Sequence, residues 1–323
     1  MRYLITGGAG FIGSHLADAL LRTGDEVTIV DDLSTGAMAN IEHLKSREGF
    51  RCVVGSVTDE VCMAGLIDSS DVIFHLAAAV GVKLVVESPI RTAETNINGT
   101  ETVLRLASTE KKKVILTSTS EVYGKSEKVP FSEDDDLVLG PTRNSRWIYA
   151  CSKALDEFLC LAYWQEHGLP VVIVRLFNIV GPRQTGKYGM VLPTFIKQAL
   201  SGNPITVYGD GRQSRCFTWV GDAVDTMIRL SRESEAVGGV FNVGSTEEIT
   251  MAGLAALVKE VTGSRSDIVY VPYESAYKEG FEDLRRRVPD TSKVTRLTGH
   301  KLTRDLRQII KDIAEDLNNG PLG

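Results

Sequence analysis

Short runs rich in valine, isoleucine and leucine recur through the first half of the chain, at Arg2–Thr6, Glu26–Asp31, Phe50–Val54, Asp71–His75 and Lys113–Ser118. They show little alternation between apolar and polar positions. A strand with one wet face alternates, whereas a strand covered on both faces reads as a nearly continuous apolar run. Between the runs, Phe11–Arg22, Glu60–Leu66 and Pro89–Ser108 have the length and spacing of helices. A further helix is predicted over Trp147–Glu166 and a strand over Val171–Phe177. Strands and helices that alternate in this way predict an α/β architecture, a doubly wound parallel sheet with helices on both faces.

The second half changes texture. Glycine and proline punctuate it at Gly181-Pro182, Gly202-Asn203-Pro204 and Gly209-Asp210-Gly211, and the earlier rhythm is lost. We read residues 1–180 as the main domain and 181–323 as a smaller α/β substrate-binding domain that closes over a cleft, with Phe241–Gly244 able to return to the main sheet. The polar stretch Gly124–Asn144, with Glu133-Asp134-Asp135-Asp136, reads as a solvated loop placed where it could cover a site.

Composition narrows the classes. The 323 residues carry a net charge of -6, which argues against a nucleic-acid surface. No apolar run approaches the roughly 20 residues that span a bilayer, and the chain opens directly on a strand, so neither a membrane segment nor a signal peptide is expected. The five cysteines are scattered without metal-ligand spacing. They are expected to be reduced thiols of a cytoplasmic protein, with no metal site.

Chemistry enters with Gly7-Gly8-Ala9-Gly10-Phe11-Ile12-Gly13, between the first strand and the first helix. Gly7 permits the tight turn, Gly10 lets the backbone approach a pyrophosphate at the helix N-terminus, and Gly13 lets helix and strand pack closely. Asp31 ends the second strand at about the 20-residue distance where a carboxylate accepts hydrogen bonds from a ribose diol. It would repel a 2′-phosphate, so NAD is the expected cofactor on a Rossmann-like fold. Tyr149 and Lys153, four apart on a predicted helix, share one face. A free phenol is a poor base at neutral pH, and a neighbouring ammonium or a positive nicotinamide would bring it toward the working range. Tyr149 could then take the proton of a sugar hydroxyl while Thr119 orients it.

With these residues in place, and with His75-Leu76-Ala77-Ala78, Ser118-Thr119-Ser120, Arg175–Asn178 and Gly181-Pro182-Arg183, the whole chain resembles the extended short-chain dehydrogenases/reductases, the NAD-dependent nucleotide-sugar epimerases, dehydratases and decarboxylases. The resemblance implies that Phe11, Ile12, Leu33, Ser34, Thr35, Gly36, Ser56, Val57, Leu76, Ala77, Ala78 and Thr117 join the glycines, Asp31, Tyr149 and Lys153 around NAD. It likewise implies that Lys83, Asn178, Arg183, Val191, Thr206, Tyr208, Gln213, Arg215 and Arg287 meet the sugar nucleotide. Gly55-Ser56 departs from the Gly-Asp common in the family. A homodimer through the helices Pro89–Ser108 and Trp147–Glu166 is also implied.

All such enzymes can begin by oxidising C4 of the sugar. Ser120-Glu121 resembles the UDP-glucuronate decarboxylases, and the GDP-mannose dehydratases share it. Arg146-Trp147-Ile148-Tyr149 and the stretch Tyr277–Pro289 resemble the decarboxylase domain of the bacterial lipid A aminoarabinose pathway, which places Arg287 on its catalytic arginine. Glu121 and Ser120 would then manage protons near C5. The neighbourhood of Lys83 looks more like the epimerases. The expected activity is therefore decarboxylation of UDP-glucuronate to UDP-xylose or a UDP-4-keto-pentose. UDP-sugar 4-epimerisation is the alternative, and a 4,6-dehydratase or a non-catalytic NAD(H) sensor stands further off.

Overall fold

In a computed structural model of the chain, the described residues are 1–81, 85, 87–186, 190–272 and 285–319. The first half runs β1 (Arg2–Thr6), α1 (Phe11–Arg22), β2 (Glu26–Asp31), β3 (Phe50–Val54), α2 (Glu60–Asp68), β4 (Val72–His75), α3 (Pro89–Glu110), β5 (Lys113–Thr119), α4 (Trp147–His167) and β6 (Val171–Leu176). The second runs β7 (Ile179–Val180), α5 (Val191–Leu200), β8 (Ile205–Tyr208), β9 (Ser214–Cys216), β10 (Thr218–Trp219), α6 (Val220–Arg232), β11 (Gly239–Val243), β12 (Glu248–Thr250), α7 (Met251–Thr262), β13 (Ile268–Val271), α8 (Ser292–Thr298) and α9 (Leu306–Asn319).

Seven strands form one sheet in the order β11-β6-β5-β4-β1-β2-β3, parallel throughout. The sheet grows one way from β1 through β2 and β3 and the other way from β4 through β5 and β6. A crevice therefore opens at the carboxyl ends of β1 and β4, where the direction reverses. The unbroken apolar runs are explained by burial on both faces. On one face Leu16, Met227 and Val294 from α1, α6 and α8 enclose the sheet. On the other, Met63, Leu104 and Cys160 from α2, α3 and α4 do so.

Residues beyond 180 divide between two bodies. Helix α6 and strand β11 return to the main sheet, where β11 pairs with β6 from Gly239↔Val172 to Val243↔Leu176 and buries Phe241. A separate core joins α5, α7 and α9 with β8 through Phe195, Leu254, Ile205 and Ile310. This second body stands against the carboxyl edge of the sheet and supplies the far wall of the crevice. Among the described residues, no helix is long and apolar enough to cross a membrane.

Candidate active site

A cleft of about 1330 Å³ lies at the carboxyl edge of the sheet. Its floor is the turn between β1 and α1. Gly7 has φ +70°, and a Cβ there would lie 2.9 Å from the Ala77 amide nitrogen. A Cβ on Gly13 would lie 2.3 Å from the Gly7 carbonyl oxygen. Only glycine fits either position, and the cradle that results leaves the start of α1 open to the cleft beside Gly10, Phe11 and Ile12. That is the shape a pyrophosphate requires.

Asp31 is buried, and its carboxylate accepts the amides of Ala9 at 2.9 Å and Leu33 at 2.8 Å. Burial pushes its pKa up, and these amides pull the other way. Ser34, Thr35, Ser56, Val57 and Thr117 line the same end of the cleft. Leu76, Ala77 and Ala78 line it too, with the amides of Leu76 and Ala77 donating to the Thr6 hydroxyl. This set fits NAD, since the glycine cradle and the Asp31 carboxylate face one cavity. Leu33 and Gly36 depart from the expectation, because neither is among the cleft-lining residues. The Leu33 side chain packs on the apolar core, and Gly36 sits where a Cβ would strike the Asp31 carboxylate at 2.8 Å. Both shape Asp31 from behind.

Strand β5 ends at Thr119, and the chain turns at once through the 3-10 helix Ser120–Tyr123. The Thr119 hydroxyl caps that turn by accepting the Glu121 amide at 3.2 Å. Tyr149 and Lys153 project from the first turns of α4 into the same part of the cleft. The Thr119 side chain stands beside the Tyr149 phenol. Burial pushes that phenol well above its ordinary pKa, Glu121 and Asp156 push the same way, and Thr119 opposes them. The Lys153 ammonium is turned to Asp156, at 2.9 Å.

Glu121 sits between two guanidiniums, with Arg287 at 2.5 Å from one carboxylate oxygen and Arg146 at 3.2 Å from the other. Burial alone would raise its pKa. Arg287, Arg146 and the more distant Arg215 outweigh burial and hold it at about 2. All three arginines are buried. Ser120 is buried beside them and lines the cleft.

Arg146 is the member that the sequence reading left without a role. It occupies the N-cap of α4, where the positive end of the helix dipole disfavours a cation. A cation in that place is a signal of a partnered anion, and the partner is Glu121.

On the far wall, Asn178, Val191, Thr206, Tyr208, Gln213 and Arg215 line the cleft together with Arg287. Asn178 (φ 39°) donates its side-chain amide to the Cys216 carbonyl and so ties β7 to β9. Arg183 lines the cleft, but its guanidinium reaches Asp18 on α1 at 2.8 Å and its amide donates to Asp316 on α9. It joins the two bodies of the molecule, so a direct hold on substrate would require it to leave Asp18. Lys83 and most of the stretch Tyr277–Pro289 lie outside the described residues. Among the described residues no cluster of metal-ligating groups is present, and the five cysteines are unpaired.

A family model described as the NAD dependent epimerase/dehydratase family matches residues 3–244. A UDP-N-acetyl-alpha-D-glucosaminuronate decarboxylase of Bacillus cytotoxicus is 48% identical over 294 residues, 91% of this chain and 90% of that protein. A UDP-glucuronic acid decarboxylase 1 of Danio rerio is 38% identical over 298 residues, 92% of this chain and 68% of that protein. Among solved structures, a UDP-glucuronic acid 4-epimerase from Bacillus cereus, in complex with UDP-glucuronic acid and NAD, matches with a TM-score of 0.88 at 28% identity, over 98% of this chain and 99% of that one.

Proposed function

Because the chain belongs to the NAD dependent epimerase/dehydratase family, we propose that it oxidises the C4 hydroxyl of a UDP-hexuronate and releases the C6 carboxylate as CO₂. The observation that carries this reading is Glu121 held as a carboxylate between Arg146 and Arg287, next to Tyr149 and Thr119. Plain C4 epimerisation calls for no such charged pair beside the reacting ring. The scaffold itself does not discriminate, since an epimerase shares it at a TM-score of 0.88, whereas the two curated relatives of higher identity are decarboxylases.

NAD supplies the hydride acceptor at C4. Thr119 orients the hydroxyl and Tyr149 accepts its proton. The resulting ketone lies β to the C6 carboxylate, so loss of CO₂ places its electron pair in an enolate. Arg287 and Arg146 balance the negative charge as it moves from carboxylate to enolate oxygen, and they do so in a buried setting where such stabilisation is strong. The proton returned at C5 comes from water by way of the Ser120 hydroxyl, while Glu121 stays a carboxylate and holds Arg146 and Arg287 in place. UDP-glucuronate, giving UDP-xylose or its 4-keto precursor, fits this chemistry. The Bacillus cytotoxicus relative favours the same sugar with an acetamido group at C2. The reaction leaves both open, because C2 takes no part in it.

The enzyme is further proposed to be a cytoplasmic homodimer. The unpaired cysteines support a reducing compartment. Leu155 and Phe158 on α4 and Ile90 at the start of α3 are exposed apolar side chains on two helices that pack together, and a second copy would cover them.

Incubation with UDP-glucuronate and with its 2-acetamido counterpart, followed by mass spectrometry and CO₂ detection, tests the reaction. A product lighter by CO₂ is expected from at least one, and none from Tyr149→Phe. A product of unchanged mass from both, with no CO₂, would replace the decarboxylase by a 4-epimerase.

A further inference from the structure

Behind the Tyr149–Lys153 pair lies a third ionisable group that the reaction above does not use. Asp156, one turn further along α4, is completely buried. One of its oxygens takes the Lys153 ammonium at 2.9 Å. The other has no hydrogen-bond partner among the described residues. Thr100 of α3 lies beside the carboxylate, and the same hydroxyl meets His75 Nε2 at 3.1 Å. His75 Nδ1 meets the Thr6 hydroxyl at 2.8 Å, and Thr6 accepts the amides of Leu76 and Ala77 at the cofactor end of the cleft. A buried carboxylate with an oxygen left unpaired is costly to keep. Apolar packing would serve a purely structural site in the middle of a helix at least as well.

We propose that Asp156 is a positioning residue for Lys153: it anchors the ammonium in the helix interface and sets how much of its positive charge reaches Tyr149. The inference rests on the Tyr149–Lys153 reading above and applies to C4 oxidation whatever follows that step. Every charged or titratable group near the pair is accounted for among the described residues. Glu121 faces Tyr149 from the turn after β5 and is held by Arg146 and Arg287. Glu157 is committed to Arg175 of β6 at 2.7 Å and to the Ser118 hydroxyl. His75 on β4 is pushed by burial down to about 3 and is neutral at working pH. Burial likewise keeps the Cys160 thiol protonated. Asp156 is therefore the carboxylate that the Lys153 ammonium engages, at 2.9 Å. Its own negative charge opposes ionisation of Tyr149, so the carboxylate acts as both anchor and counterweight.

The near-isosteric Asp156→Asn tests this. The pH profile of C4 oxidation, read as single-turnover NADH formation, should have its acid limb moved to lower pH by about one unit, which is tenfold more ionised Tyr149 at a given pH below the limb. A folded Asp156→Asn with the wild-type profile would overturn the proposal. Lys153→Met gives a second readout that needs neither turnover nor an altered Asp156. It strands the buried carboxylate, so the thermal midpoint of the cofactor-free protein should fall at neutral pH and recover toward wild type as the pH is lowered and Asp156 protonates. A midpoint indifferent to Lys153→Met across that range would also overturn it. Tyr149→Phe run alongside separates the two readings. If that variant is fully active the Tyr149–Lys153 assignment fails, whereas an inert Tyr149→Phe beside an unaltered Asp156→Asn removes only the role given to Asp156.

Discussion

Glu121 shows how much a single residue depends on its neighbours here. Its pKa is held at about 2 against an ordinary value of 4.5, since Arg287 and Arg146 overcome the burial that would raise it. A carboxylate depressed on folding contributes stability that is fully present above its unfolded pKa and lost as the pH falls toward the folded one. The contribution is on the order of 3 kcal/mol. Glu121→Gln should therefore be less stable than wild type at neutral pH, and the difference should close as the pH falls from about 4.5 toward 2. Thermal melts of the two proteins across that range check it. Asp31 supports a second prediction at this scale. Its carboxylate faces the cleft with two amide bonds already made, and a 2′-phosphate would meet it at close range. NADP⁺ should bind more weakly than NAD⁺ by about tenfold or more, roughly 1.4 kcal/mol, as read by titration calorimetry.

At the scale of elements, the chain segment that carries Arg287 is held from an unexpected side. Phe131, in the long loop between β5 and α4, donates its amide to the Val288 carbonyl and accepts the amide of Asp290, both at 2.8 Å. Asn242, buried in β11, donates its side-chain amide to the carbonyls of Phe131 and Asp290 and accepts the Tyr123 hydroxyl at 2.7 Å. One asparagine thus ties the turn bearing Glu121 to the segment bearing Arg287. Asn242→Ala leaves several buried polar groups unpaired and should destabilise the protein by about 3 kcal/mol. It should also slow CO₂ release more than it weakens UDP binding, since the nucleotide end of the cleft is remote from this junction. Denaturant melts and paired CO₂ and UDP-binding assays measure the two effects. The loop reads in the sequence as a solvated acidic stretch. Asp134 and Asp136 are exposed as that reading expects, whereas Glu133 turns inward to accept the Asn242 amide.

For the whole molecule, the exposed Phe158 and Leu155 on α4 lie on the far side of the helix from Tyr149 and Lys153. A dimer formed there would brace the helix that carries the proposed Tyr149–Lys153 pair. Phe158→Asp places a charge in the centre of that surface, and sedimentation should report half the wild-type mass. A wild-type protein that sediments as a monomer would contradict the arrangement outright.

What the sequence determined by itself is the sheet and the cofactor end of the site. Continuous apolar runs alternating with helices fit parallel strands covered on both faces, and the glycines at 7, 10 and 13 with Asp31 mark the cradle by their spacing along one strand-turn-helix segment, although the contact that excludes a Cβ at Gly7 comes from distant Ala77. The spacing of four that brings Tyr149 and Lys153 to one face of α4 is equally local. Tertiary structure decided the rest. The return of α6 and β11 to the main sheet depends on which edge strand is free, which no local pattern encodes. The diversion of Arg183 to Asp18, the capture of Glu121 by Arg146 and Arg287, and the engagement of Lys153 with a buried Asp156 each join charges or close contacts that only the packed chain brings together. Residue types and spacings announce which groups can do chemistry, but the field each group feels is set by burial and by neighbours far away in the chain, and those are properties of the fold.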